Sequence, residues 1–408
     1  MRLHPFAAMR PVPELAPAVV SPPYDVVTRE QAARLGRDNP LSFLHVVRSD
    51  IDLAPDLDPH DPRVYDRARQ SLDRLVADGV LVRDEDPSLY LYRMVAEGRS
   101  QVGVVGGVHV GDYAGGVIRR HESTRPDKED DRTRHILALD AHAEPVLLAY
   151  PEQRELEQLA GTAMGRLPLY DFATDDQVRH TVWRVPHPRP YVEAFADVPC
   201  AYIADGHHRS ASAWRAARER GAVNARHSGD EEYNWFLAVL VPARQLRILP
   251  YNRLITGLGG QEPGRLLSRL ASLGRLTPAS SPTPPRPGSF CLYLGRRWHR
   301  LELDESSIDR ADPRRALDVA LLQERVLGPL LGIDDQRTDK RIDFVGGKES
   351  IAELEARVDA GAAALAISMF PTSMAELIAV SDAGQMMPPK STWFEPKLLS
   401  GLFVHPIV

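Results

Sequence analysis

A mixed α/β architecture with a partly antiparallel central sheet is what this chain predicts, on three observations. Short β-rich runs such as SLYLYRMV (88–95) and QVGVVGGVHV (101–110) follow one another across hairpin-length gaps. Segments of helical period, such as 127–143 and 209–221, are interleaved with them. The composition is that of a folded chain, with 43% hydrophobic and 26% charged residues in 408, which excludes a mainly disordered, collagen-like or coiled-coil polypeptide.

The elements run in order from the N-terminus. Thr28 with Gln31 three residues on reads as a capping box, opening a helix that closes near Asn39 and Pro40. SFLHVVR (42–48) predicts a strand, and the acidic, proline-punctuated tract 50–62 a surface loop. Ala68, Leu72, Leu75 and Val76 take helical spacing ahead of Gly79, which stands at a C-cap position. After the two runs above come a glycine turn (111–116) and a strand, GVIRRHE (116–122). Pro126 opens the helix of 127–143, PVLLAY (145–150) is a buried strand, and 151–164 is a helix. Strands at 170–176 and 180–185 precede PCAYIA (199–204), which runs through DGHHR into the helix 209–221. WFLAVLV (235–241) and LRILPYNRLI (246–255) close this region. The proline-rich stretch 277–289 reads as a linker or long loop. Beyond it, strands at 290–294 and 299–303, a helix from Ala316 to Leu331, a β-α-β-α pattern through 342–384 and an extended 402–408 are expected. The expected organisation is an N-terminal α/β segment 1–84, a core 85–256 and a C-terminal α/β region 257–408.

A net charge of −6 gives no global attraction to nucleic acid or anionic lipid. Only Cys200 and Cys291 are present, too few for a disulfide framework, which fits a reducing cytoplasm. The longest nearly apolar run, 362–370, is half of what a membrane span needs, and prolines interrupt the N-terminus where a signal peptide would need an unbroken apolar stretch. No membrane partner is expected, and the N-terminus is read as mature protein.

Three motifs carry candidate chemistry. Asp205-Gly206-His207-His208-Arg209 sits between an apolar strand and a helix, a junction whose free amides and dipole suit an anion such as phosphate. Gly206 allows close backbone approach, Arg209 can fork onto phosphate oxygens, and the imidazoles can donate protons. Asp205 can hold a cation or act as base. The plain alternative has Asp205 capping the helix, one histidine in the core and Arg209 paired with a carboxylate. The second motif, Arg119 to Thr124, offers Glu122 as a general base at a sheet rim, or a merely solvated charged loop. The third is the proline-rich segment 387–397, holding Lys390, Ser391 and Thr392, either a closing loop or a staple of aromatics. Pro22-Pro23-Tyr24-Asp25 reads as a turn first and a ligand contact second. Gly346 to Ser350 fails as a Walker A loop, since Ile342 stands where a glycine belongs and Glu349 follows the lysine. His121, Asp205, His207 and His208 are metal-ligand types, but adjacent histidines on one turn point in different directions.

The strings HPFAAMRP (4–11), PPYDVV (22–27), IRRHEST (118–124), YIADGHHR (202–209), YNRLI (251–255) and 387–405 resemble a prokaryotic family, domain of unknown function number ten-fifteen, over nearly the whole chain. The DGHHR region is also similar to the free serine kinases of the ParB/sulfiredoxin-like superfamily. That resemblance implies a central ParB/sulfiredoxin-like mixed sheet with flanking helices. It implies transfer of phosphate from ADP or ATP to a free serine-like hydroxyl such as that of L-serine, with Mg2+ on Asp205. Gly206, His207, His208, Arg209 and Ser210 would hold the nucleotide phosphates, and Glu122, Asp205, His207 and His208 would be catalytic. Tyr24, Asp25, His121, Thr124, Lys390, Ser391 and Thr392 would contact substrate. Those kinases are much shorter, so the first 80 and last 150 residues receive no role from them. A phosphohydrolase or nuclease, and a ParB-like module that binds a nucleotide without transferring phosphate, remain open alternatives. The acidic balance speaks against nucleic acid.

Overall fold

Residues Met1–Leu246 and Pro396–Val408 form one unit and Arg247–Glu395 a second. The computed structural model describes residues 1–347 and 350–408.

The first unit is built on a nine-stranded mixed sheet. Its elements are β1 (Leu3–His4), α1 (Arg29–Gly36), α2 (Pro62–Ala77), β2 (Leu89–Ala96), β3 (Arg99–His109), β4 (Ile118–Arg119), α3 (Pro126–Leu139), β5 (Val146–Tyr150), α4 (Arg154–Met164), β6 (Tyr170–Ala173), β7 (Arg179–Val185), α5 (Arg189–Ala196), β8 (Ala201–Asp205), α6 (His207–Val223) and β9 (Trp235–Pro242). The strand order is β4-β8-β5-β9-β3-β2-β7-β6, with β1 pairing to β3. Two pairs are parallel, β4 with β8 and β5 with β9, and the others are antiparallel. This is the mixed α/β class expected, with a large mixed sheet and flanking helices.

Apolar periodicity sets which faces are covered. Ala211, Ala213, Ala216 and Ala217 of α6 share one core with Leu148, Ile203 and Leu240 of β5, β8 and β9, and with Phe195 of α5. Small alanines bring that helix close to the sheet. A second core joins Val19, Phe43, Leu44 and Val47 to Leu72 and Leu75 of α2 and to Leu139, Ala141 and Ala143. Residues 1–84 therefore share a core with the chain around 139–143. The C-terminal segment rejoins the first unit: Val404 bridges to Met9, Ser400 to Ser21, and His405–Pro406 pairs with Ala141–His142.

Local chemistry explains where the chain departs from expectation. Thr28 and Gln31 do form the capping box of α1. SFLHVVR is not a strand: Leu44–Val47 is a helical turn, because the Ser42 hydroxyl accepts the Leu44 amide at 3.3 Å and so bends the chain. The glycine turn begins as the short helix Val110–Ala114, with the His109 ring accepting from the Gly111 amide. α5 escapes a sequence reading, since its prolines look like loop while Pro190 stands in the first helical turn, where a missing amide hydrogen costs nothing.

The second unit has a six-stranded, fully antiparallel sheet. It contains β10 (Tyr251–Ile255), α7 (Pro263–Ala271), β11 (Gly274–Pro278), β12 (Ser289–Leu294), β13 (Arg297–Leu303), β14 (Ile342–Gly346), α8 (Ser350–Asp359), β15 (Leu365–Met369) and α9 (Met374–Asp382), in the order β11-β13-β12-β15-β10-β14. The proline-rich stretch 277–289 connects β11 to β12 inside this sheet and is no boundary. The helix expected from Ala316 to Leu331 is broken into Asp318–Leu322, a π-type turn Gln323–Leu327 and Gly328–Leu331. Of the rejected Walker-like string, Lys348 and Glu349 lie outside the described residues.

Candidate functional site

β8 is an interior strand whose Ala201 to Ala204 are buried, and its last residue, Asp205, emerges at the sheet edge after a register shift against β5. Gly206 then takes φ +103°, and a Cβ there would meet Arg209 Nε and Val146 Cγ2 at 3.2 Å. Glycine is required twice, for the left-handed backbone and for the close approach. No side chain among the described residues caps α6, so its first-turn amides are left for an external acceptor.

Asp205 stands between two cations. Its Oδ2 lies 3.3 Å from Lys397 Nζ and its Oδ1 3.6 Å from an Arg209 guanidinium nitrogen. Burial disfavours its charge, yet Lys397 and then Arg209 hold the carboxyl down at about 2. Arg209 is itself buried and donates to the Pro145 carbonyl. Against its burial, Asp205, Asp25 and Glu144 keep it charged. The guanidinium expected to fork onto phosphate is thus committed to the protein, and Lys397 is the cation beside Asp205 with the more exposed side chain.

Behind this pair lies a buried polar layer. Glu144 Oε1 accepts from the Ser400 hydroxyl at 2.9 Å and from the Tyr24 amide at 3.1 Å. Burial raises the Glu144 carboxyl, opposed by Arg209 and Arg132. Arg132 stacks over the Tyr24 ring at 4.3 Å and pairs with Asp131 at 2.8 Å. A small polar cavity is lined by Arg132, His135, His142, Glu144 and Arg209. Tyr24 serves this layer through its amide and ring, and Asp25 acts electrostatically on Arg209 and His208.

The two adjacent histidines diverge, as their spacing predicts. His208 Nε2 accepts the Arg125 amide at 3.1 Å, which leaves its proton on Nδ1. Burial lowers its affinity for a second proton, with Asp25 opposing. His207 turns the other way: its ring meets that of His121 edge-on at 4.4 Å, and its Nδ1 lies 3.9 Å from Glu122 Oε2. Both are buried, and burial holds His121 at about 4 and His207 well below its ordinary value. Both ring nitrogens of His121 and Nε2 of His207 lack a hydrogen-bond partner.

The structure thus brings together Tyr24, Asp25, His121, Glu122 and Asp205 to Arg209. Other expected ligands have bonds within their own units. The Ser210 hydroxyl is fully buried and donates back to the Gly206 carbonyl at 3.1 Å. The Thr124 hydroxyl donates to Glu129. Lys390, Ser391 and Thr392 belong to the second unit, where Lys390 lies over the Tyr251 ring and Ser391 donates to the Pro388 carbonyl. Sequence reasoning missed Lys397, Glu144 and Arg132. Lys397 ends the segment 387–397 already singled out as a closing loop but was not named as a ligand, and Glu144 stands in a largely apolar stretch, AHAEPVLLAY, where a lone carboxylate asks for a partner.

Among solved structures, the chain is similar to SbnI with C-terminal truncation from Staphylococcus aureus, at 13% identity and TM-score 0.39, covering 74% of this chain and 87% of that one. It is similar to a free serine kinase in complex with AMP, at 11% identity and TM-score 0.35, covering 71% and 86%. A conserved hypothetical protein from Pyrococcus furiosus matches at 13% identity and TM-score 0.36, covering 74% and 95%. No curated protein matches. No helix among the described residues is long and apolar enough to cross a membrane. The model of a protein family of unknown function, DUF1015, matches residues 3–320, and the chain belongs to that family.

Proposed function

We propose that the first unit is a small-molecule phosphotransferase, taking phosphate from ADP or ATP to a free serine-like hydroxyl. The observation that carries this reading is the N-terminus of α6, which no side chain caps among the described residues, beside an ionised Asp205 held by Lys397. Backbone amides and Lys397 would bind the nucleotide phosphates, and Arg209 would act as a positioning residue that fixes Asp205 from behind. Glu122, in the loop after β4 with its side chain 37% exposed, would accept the proton of the incoming hydroxyl. The hydroxyl oxygen then bonds to the terminal phosphorus as the bond to the bridging oxygen breaks. The electron pair stays on the departing nucleotide, where the amides and Lys397 stabilise it.

Asp205 fits Mg2+ as a single hard carboxylate, since that ion typically takes one or two carboxylates together with phosphate oxygens and water. When bound, Mg2+ would neutralise phosphate charge.

Phosphorus NMR of the full chain with Mg2+, ADP or ATP and a panel of hydroxy amino acids tests the reading. A new phosphomonoester resonance that requires the amino acid is expected, lost in Asp205→Asn and Lys397→Ala. Release of inorganic phosphate regardless of acceptor would replace the reading with hydrolysis. Nucleotide binding without turnover would replace it with a binding module.

A further inference from the structure

We propose that His121, Glu122 and His207 form a binding site for a transition-row divalent cation, with zinc as its probe, separate from the single carboxylate assigned to Mg2+. One donor atom from each of the three lies within 4.8 Å of the others. A point equidistant from three donors at that limit is about 2.8 Å from each, so closure onto zinc at 2.0–2.2 Å asks each donor to move by less than about 1 Å. The loop after β4 supplies His121 and Glu122 and the first turn of α6 supplies His207, so the cation would clip that loop to the helix.

A second observation points to a ligand. His121 is 1% exposed and His207 6%, and three of their four ring nitrogens have no hydrogen-bond partner. A neutral imidazole carries one donor and one acceptor, and buried polar groups are rarely left without partners. Two other buried histidines of this unit contrast with them: His135 bonds the Val46 carbonyl and His180 bonds Tyr92 and Thr174, while His142 and His405 each leave one ring nitrogen without a partner. Two imidazoles and one carboxylate are also the wrong donors for Mg2+ and the right ones for zinc or its first-row neighbours. This inference goes beyond the phosphotransfer reading and needs no nucleotide; Glu122 either holds the cation or takes the substrate proton, so zinc bound here would block the transfer step.

The test is equilibrium dialysis of untagged, metal-stripped full chain against Zn2+ in excess Mg2+, with no nucleotide present. One zinc per chain is expected. Binding should weaken by about tenfold or more in His121→Gln, His207→Gln and Glu122→Gln, and stay unchanged in His187→Ala, which removes an exposed imidazole. Glu122→Gln keeps the test decisive if the buried histidine variants fail to fold. Cobalt loading adds a spectroscopic check, since mixed nitrogen and oxygen ligation changes its visible absorption from that of the hydrated ion. Zinc bound equally by wild type and all three variants, sub-stoichiometric zinc, or a hydrated-ion cobalt spectrum would overturn the proposal. Each result is read without reference to phosphate transfer, so the two readings fail separately.

Discussion

Acidification should unfold the first unit well before its carboxylates protonate. His135 and His180 are held at about 4 and His142 at about 3, against 6.5 for an exposed imidazole, in each case chiefly by burial. The unfolded chain therefore takes up these protons first. Stability is greatest above pH 6.5 and is lost as pH falls through the window down to about 4 for His135 and His180 and about 3 for His142. Each pH unit by which folding lowers a histidine's proton affinity is worth about 1.4 kcal/mol, so His135 and His180 each contribute about 3 kcal/mol and His142 about 5. Together that is about 11 kcal/mol, comparable to the whole stability of a typical domain. These three protons alone give a slope of about 4 kcal/mol per pH unit between 6 and 4.5, and the buried His121 and His207, also held below the ordinary value, steepen it. Urea denaturation across that range, followed by hydrogen exchange of peptides from β5, β7 and β9, reads the first unit separately. His180→Gln can replace the bonds to Tyr92 and Thr174 and should flatten the slope by about one proton. A midpoint independent of pH from 7.5 to 4.5, or a slope unchanged in His180→Gln, would refute the reasoning.

Three further outcomes rest on the same geometry. If Lys397 holds phosphate as proposed, Lys397→Ala removes a charge-assisted contact worth about 1.5–3 kcal/mol, so the nucleotide KM should rise by about tenfold to a hundredfold; steady-state kinetics checks it. Gly206→Ala forces a side chain into φ +103° against Arg209 and Val146, and should cost about 1–3 kcal/mol in the urea midpoint along with nucleotide affinity. Phe195→Ala empties a fully buried site in the sheet core and should cost about 3–5 kcal/mol, while leaving residual folded protein able to bind nucleotide.

What was legible in the sequence was what neighbouring residues decide. The capping box of Thr28 and Gln31, the apolar strand ahead of Asp205 and the glycine at the helix start are set within a few positions of the chain. The strand-to-helix junction was therefore found together with its divergent histidines. SFLHVVR misled because a short apolar run fits a buried strand and a buried helical turn equally, and one Ser42 hydroxyl decided between them. The partners of Asp205 were only half legible. Arg209 lies four residues on, whereas Lys397 arrives from 192 residues away, carried there by the bridges of Ser400 and Val404 to the N-terminal segment. The same return of the chain brings Ser400 onto Glu144. Ser210 was assigned to phosphate from its position alone, and its hydroxyl bonds back to the first turn instead, as serine often does in helices.

The central claim is that the start of α6 holds phosphate. Calorimetric titration of the full chain with ADP, and separately with adenosine, tests it most directly. The account predicts that ADP binds, that adenosine binds far more weakly, and that the difference shrinks in Lys397→Ala and Gly206→Ala. Equal affinity for the two ligands, or an ADP affinity indifferent to both substitutions, would contradict it.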